Sequence, residues 1–112
     1  MIDAKEIGGI IAVYQKHGWL LRRVLLSTAL KKYAGDNILS LINGVQIIAS
    51  DIDAAWFSRP PQPGGVAWEI RHLSETPYAL LENIDETSTE FEDTLRAVES
   101  RLRETTRKFK SA

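Results

Sequence analysis

The chain has 112 residues, with a hydrophobic fraction of 44% and a charged fraction of 26%, as expected for one globular domain. Its formal net charge of −1 excludes a global field that would recruit nucleic acid or an anionic membrane. Cysteine is absent, which excludes disulfides, zinc–thiolate sites and cysteine nucleophiles. The first residues are acidic and no apolar run reaches membrane-spanning length, so we expect a cytoplasmic protein with a single domain over residues 1–112.

Residues 3–18 predict an N-terminal helix. Asp3 followed by Glu6 has the spacing of a capping box, with Asp in the place of Ser or Thr. His17-Gly18 indicates the end of the helix, because glycine readily adopts the left-handed conformation that terminates helices. Between these signals, bulky side chains recur at helical spacing: Ile7, Ile10, Ile11 and Tyr14.

A strand and a broken helical region follow. Trp19 to Leu26 has the length and apolarity of a strand, in which Arg22 and Arg23 are expected to point to opposite faces. Residues 28–44 predict two short helices or one broken helix, because Gly35-Asp36 interrupts the pattern.

The central part of the chain predicts an antiparallel meander. Val45 to Ile48 is expected to be a short extended segment. Ala54 to Arg59 and Val66 to Leu73 are expected strands, joined by a loop at residues 60–65 that is rich in proline and glycine. Tyr78 to Ile84 is expected to be the third strand, after a second tight turn.

The last part of the chain predicts one long helix, from capping residues at 85–89 to about Lys110. Its apolar positions form a narrow stripe of near-heptad spacing. Such a stripe can cover a sheet, and it can also pair with the same stripe of a second copy, since two-fold association is the commonest oligomeric arrangement. The dimer-seam candidates are Leu95, Val98, Leu102 and Phe109.

Together these elements define an expected α+β fold class. It has an N-terminal helix, an antiparallel meander of three to four strands, and a long C-terminal helix packed on one sheet face. The first strand is expected to join the meander as its fourth member.

The central hairpin supplies a candidate binding surface. Strand alternation places Trp56 and Phe57 on opposite faces, and a symmetric loop would put Phe57 opposite Trp68. In that register Trp56 lies opposite Glu69. We interpret the Phe57–Trp68 side as core, and the other side, with Trp56, Glu69 and Arg71, as the binding surface.

The carboxylates of the hairpin suggest a second hypothesis. Asp53, before one strand, and Glu69-Ile70-Arg71, in the next, resemble the metal-binding core of PD-(D/E)xK nucleases. The resemblance implies a Mg²⁺ ion held by Asp53 and Glu69 that activates water. The sequence departs from the nuclease pattern at its lysine, because the Arg71 guanidinium stays protonated.

No convergent catalytic set or phosphate-binding glycine loop accompanies these residues. We therefore expect no cofactor, and a non-catalytic protein–protein interaction or regulatory module that self-associates as a homodimer or binds another protein. The alternative is a divalent-metal-dependent nuclease or phosphodiesterase that uses Asp53 and Glu69.

Overall fold

The computed structural model describes residues 2–42, 44–60 and 66–111, and side chains as far as Lys108. The elements are α1 (Ala4–Lys16), β1 (Leu20–Leu26), α2 (Thr28–Leu41), β2 (Gln46–Ala49), β3 (Ala54–Ser58), β4 (Val66–His72), β5 (Ala79–Ile84) and α3 (Phe91–Ser111). None of the described helices has both the length and the apolarity to cross a membrane.

The predicted α+β class is confirmed, with α3 packed on one face of the sheet. The strand order is β2-β1-β3-β4-β5, and β3, β4 and β5 form the expected antiparallel meander. The expectation of three to four antiparallel strands needs correction, because β2 pairs with β1 in parallel and makes a five-stranded mixed sheet. A crossover through a helix, here α2, can bring two successive strands together in the same direction.

The helix boundaries follow their local signals. The Asp3 carboxylate accepts a hydrogen bond from the Glu6 backbone N–H at 2.8 Å, which satisfies one donor of the first turn of α1. Gly18 adopts a φ of 85° directly after the C-cap, as the predicted helix end requires. The break in α2 is also confirmed, although the non-helical residue is Ala34, one position before Gly35.

Each face of the sheet has its own hydrophobic core. The core under α1 and α2 is built mainly over β1 and β3, whereas the core under α3 lies over β3, β4 and β5. Burying one large apolar side chain stabilises a fold by roughly 1.5–3 kcal/mol. The first core contains Ile7, Ile11, Val24, Leu30, Ile38 and Phe57, and the second contains Trp56, Trp68, Ile70, Leu95, Val98 and Leu102.

The two arginines of β1 lie on the same side of the sheet, which corrects the predicted alternation. The pairing of β1 with β3 shifts between Leu21 and Arg23, and such a bulge turns two successive side chains to one face. The Arg22 guanidinium lies 4.8 Å from the centre of the Trp68 ring. Arg23 forms a bidentate ion pair with Glu92 of α3, in which its Nη1 and Nη2 atoms lie 2.9 and 2.5 Å from the two carboxylate oxygens. This pair holds the pKa of the Glu92 carboxyl below its ordinary value.

The hairpin register differs by one residue from the symmetric-loop expectation. Phe57 lies opposite Glu69, Trp56 lies opposite Ile70, and Trp68 lies opposite a serine. A slip of one residue exchanges the faces of a strand relative to its neighbour. In the observed register both tryptophans point under α3, and the Glu69 carboxylate stays out of that core.

Candidate functional site

The three predicted binding-surface residues do not share one face. Trp56 is 0% exposed under α3, so its assignment to an open surface is corrected by its burial. Glu69 and Arg71 lie on the other face of the sheet and are half-buried. The alternation within β4 keeps these two charged residues together, as the sequence indicated.

The face that carries Glu69 and Arg71 is incompletely covered. Here β4 and β5 present side chains that alternate with those buried under α3. Among the described residues, no helix shields β5 on this side, and Leu81 is 60% exposed. The cross-strand pairs on this face are Ala67–Asn83, Glu69–Leu81 and Arg71–Ala79.

Tyr14 of α1 borders this face and connects it to the adjacent core. Its ring stacks on Phe57, with the ring centres 4.0 Å apart and the planes inclined by 9°. Its hydroxyl donates a hydrogen bond to the Glu69 carboxylate. The sequence pattern counted Tyr14 only as a member of the apolar stripe. The signal that distinguishes it is its hydroxyl, since the other members are isoleucines.

Burial, together with the hydrogen bond and the negative charge of Glu69, raises the pKa of the Tyr14 hydroxyl well above its ordinary value of 10. The unfolded chain therefore loses this proton first as the pH rises. The contribution of the protonated Tyr14 hydroxyl to the stability of the folded protein is fully present below about pH 10, the pKa of an unfolded tyrosine. This contribution is lost as the pH rises toward the pKa of Tyr14 in the folded protein.

We expect the Tyr14→Phe variant to be less stable by about 1–2 kcal/mol at pH 8, because it keeps the stacked ring but loses a hydrogen bond to a charged group. The difference in unfolding free energy between wild type and variant should narrow at pH 11. Urea denaturation at both pH values measures it. An equal difference at both would contradict the role assigned to the hydroxyl.

A groove of about 480 Å³ opens between α1 and the end of β4. The space beside Gly9 is open, since a Cβ atom at that position would meet no other atom within 4 Å. One wall of the groove is apolar and includes Val13, which is 57% exposed. The lining residues are Ile2, Glu6, Gly9, Ile10, Val13, Tyr14, Arg71, Ser74 and Glu75.

The charged groups around the groove are mainly acidic. Glu6 and Glu75 line it together with Arg71, and Glu69 lies behind the Tyr14 hydroxyl. Part of the Arg71 guanidinium is engaged internally, because Nη1 donates to the backbone carbonyl of His72. The groove therefore combines an apolar wall with an excess of carboxylate charge.

The predicted dimer seam lies inside the protein. Leu95, Val98 and Leu102 are 0%, 3% and 0% exposed and pack against the sheet. This corrects their assignment to a seam between copies, because a sheet with one open apolar face needs that stripe to close its own core. The side chain of Phe109 lies outside the described residues.

The two carboxylates of the nuclease hypothesis do not converge. In the hairpin Glu69 pairs with Phe57, four positions along β3 from Asp53, which corresponds to about 13 Å of extended chain. Asp53 accepts hydrogen bonds from the N–H and the hydroxyl of Ser27, at 2.6 and 3.0 Å, and so fixes the N-cap of α2. Each carboxylate therefore has a structural partner of its own.

In the part of the chain that the structure describes, no three His, Asp or Glu side chains are grouped to hold a metal ion. The groove beside α1 and the uncovered face of β4 and β5 together form the candidate site. No protein-family model, curated protein or solved structure shows significant similarity to this chain.

Proposed function

We propose that this domain is a non-catalytic protein-interaction module that docks an amphipathic helix of a partner protein. The helix would lie beside α1, over β4 and β5. One observation carries the proposal: β4 and β5 have α3 on one side, whereas no described helix covers β5 on the other.

The dimensions of the uncovered region suit one helix. Two neighbouring strands are about 10 Å wide, which is close to the diameter of an α-helix with its side chains. The small Ala67 and Ala79 side chains let a helix approach the sheet, while Val13 and Leu81 provide exposed apolar contacts on either side. An apolar strip with polar margins is typical of protein interaction sites.

The charge of the groove specifies the partner further. Glu6 and Glu75 lie at its margin, so a helix with lysine or arginine beside its apolar stripe is favoured over one with acidic flanks. Electrostatic complementarity of this kind mainly selects the partner and its orientation, while the apolar contacts supply most of the affinity.

Two synthetic helical peptides with the same leucine stripe, one with lysine and one with glutamate on its polar face, test the proposal. We expect the lysine peptide to perturb backbone NMR signals of α1, β4 and β5 in the ¹⁵N-labelled protein. The glutamate peptide should bind about tenfold more weakly or worse, a difference of about 1.4 kcal/mol.

The Val13→Lys variant should also weaken binding of the lysine peptide by about tenfold or more, because it removes an apolar contact and adds a like charge. Leu20→Lys is the matched control, since Leu20 is 56% exposed and does not line the groove. The proposal fails if neither peptide perturbs the groove, or if Leu20→Lys weakens binding as much as Val13→Lys.

A further inference from the structure

We infer that the outer edge of β2 pairs with β2 of a second copy of this chain, forming a continuous sheet across a two-fold axis. β2 is the last strand of the described sheet and has only β1 as a neighbour. An edge strand presents backbone donors and acceptors that can pair with another chain.

The sequence of β2 lacks the features that normally prevent such pairing. Gln46–Ala49 contains no charged residue, proline or glycine, and Ile47 is 37% exposed. The opposite edge differs, because β5 carries Glu82, which is bonded to Arg101 of α3. Charged side chains on an edge strand oppose the approach of another strand. Of the two edges, β2 is therefore the one suited to association.

The backbone of β2 is oriented for this pairing. The Ser50 N–H donates to the Leu26 carbonyl of β1 at 3.0 Å, so it points into the sheet. Alternation along the strand then directs the N–H and carbonyl groups of Ile47 and Ala49 outward. If the axis passes beside Ile48, Ile47 of one copy exchanges hydrogen bonds with Ala49 of the other, in an isologous contact.

A second copy is the occupant that the charges favour. Like charges directly opposite each other would disfavour pairing of the two strands. Antiparallel pairing about the axis places only uncharged side chains of the two strands opposite each other. The formal net charge of −1 imposes little repulsion between whole copies. The groove beside α1 lies toward the edge of the sheet opposite β2, so the dimer would leave both of its grooves accessible. A partner with two binding segments would therefore bind the dimer with increased avidity.

Sedimentation analysis over a range of protein concentrations tests the inference. We expect wild type to approach the dimer mass at high micromolar concentration, and Ile47→Lys to remain a monomer with the circular dichroism of the folded protein. Leu20→Lys, at a 56% exposed position of β1 outside its pairing with β2, should dimerise like wild type. A wild type that stays monomeric, or an Ile47→Lys variant that dimerises normally, overturns the inference.

Hydrogen exchange gives a second test that needs no variant. The amides of Ile47 and Ala49 should become at least tenfold more protected as the protein concentration is raised into the dimeric range. The inward amide of Ser50 should be protected at all concentrations. Outward amides whose protection does not change with concentration would overturn the inference, even if the protein dimerised by another surface.

Discussion

Leu102→Glu is expected to destabilise the fold of the domain strongly rather than to dissociate a dimer. Leu102 is fully buried between α3 and the sheet, in the same core as Trp56 and Trp68. The substitution removes the apolar contacts and places an ionisable carboxyl group in a core of apolar side chains. We expect the free energy of unfolding to fall by about 4 kcal/mol or more, from a total of roughly 5–15 kcal/mol for a domain of this size.

Thermal denaturation followed by circular dichroism measures this loss. At about 4 °C or more for each kcal/mol, the midpoint should fall by about 15 °C or more. Leu20→Glu is the matched control, because Leu20 is 56% exposed and the same change there should cost less than about 1 kcal/mol. A Leu102→Glu variant of normal stability would show that this stripe does not form the core.

The second large effect is expected at Trp56, because its indole N–H donates to the buried carboxylate of Glu99 at 2.8 Å. Glu99 is only 9% exposed, so its bond to Trp56 compensates part of the cost of removing its carboxylate from water. Trp56→Phe loses this bond and leaves unfilled volume in the core. We expect it to cost about 2–4 kcal/mol, measured by urea denaturation.

Trp68→Phe separates the contribution of the lost hydrogen bond from that of the unfilled volume. Trp68 is also buried in this core, but its indole nitrogen has no hydrogen-bond partner among the described residues. Trp68→Phe removes similar volume and no such bond, so it should cost at least about 1 kcal/mol less than Trp56→Phe. Equal costs, with no coupling between Trp56→Phe and Glu99→Met in a double-mutant cycle, would show that the hydrogen bond contributes nothing.

Much of the local structure was predictable because its causes are close together in the sequence. The Asp3 cap, the Gly18 helix end and the strands of the meander each depend on residues a few positions apart. The parallel strand β2 was not predictable in the same way, because its position depends on how α2 packs. The sequence also indicated the apolar stripe of α3. The spacing of that stripe alone could not decide whether it packs on the sheet of the same chain or on a second copy of α3.

The same distinction between local sequence causes and long-range packing applies to the candidate site. Alternation along β4 determined that Glu69 and Arg71 share a face, and the alternation within β3 separated Trp56 from Phe57. Which of those faces stays open depended on contacts between residues far apart in the chain: α3 covers Trp56, and α1 brings Tyr14 onto Phe57 and Glu69. Periodicity specifies which side chains lie together, but the face they occupy is decided by the helices that compete to bury it.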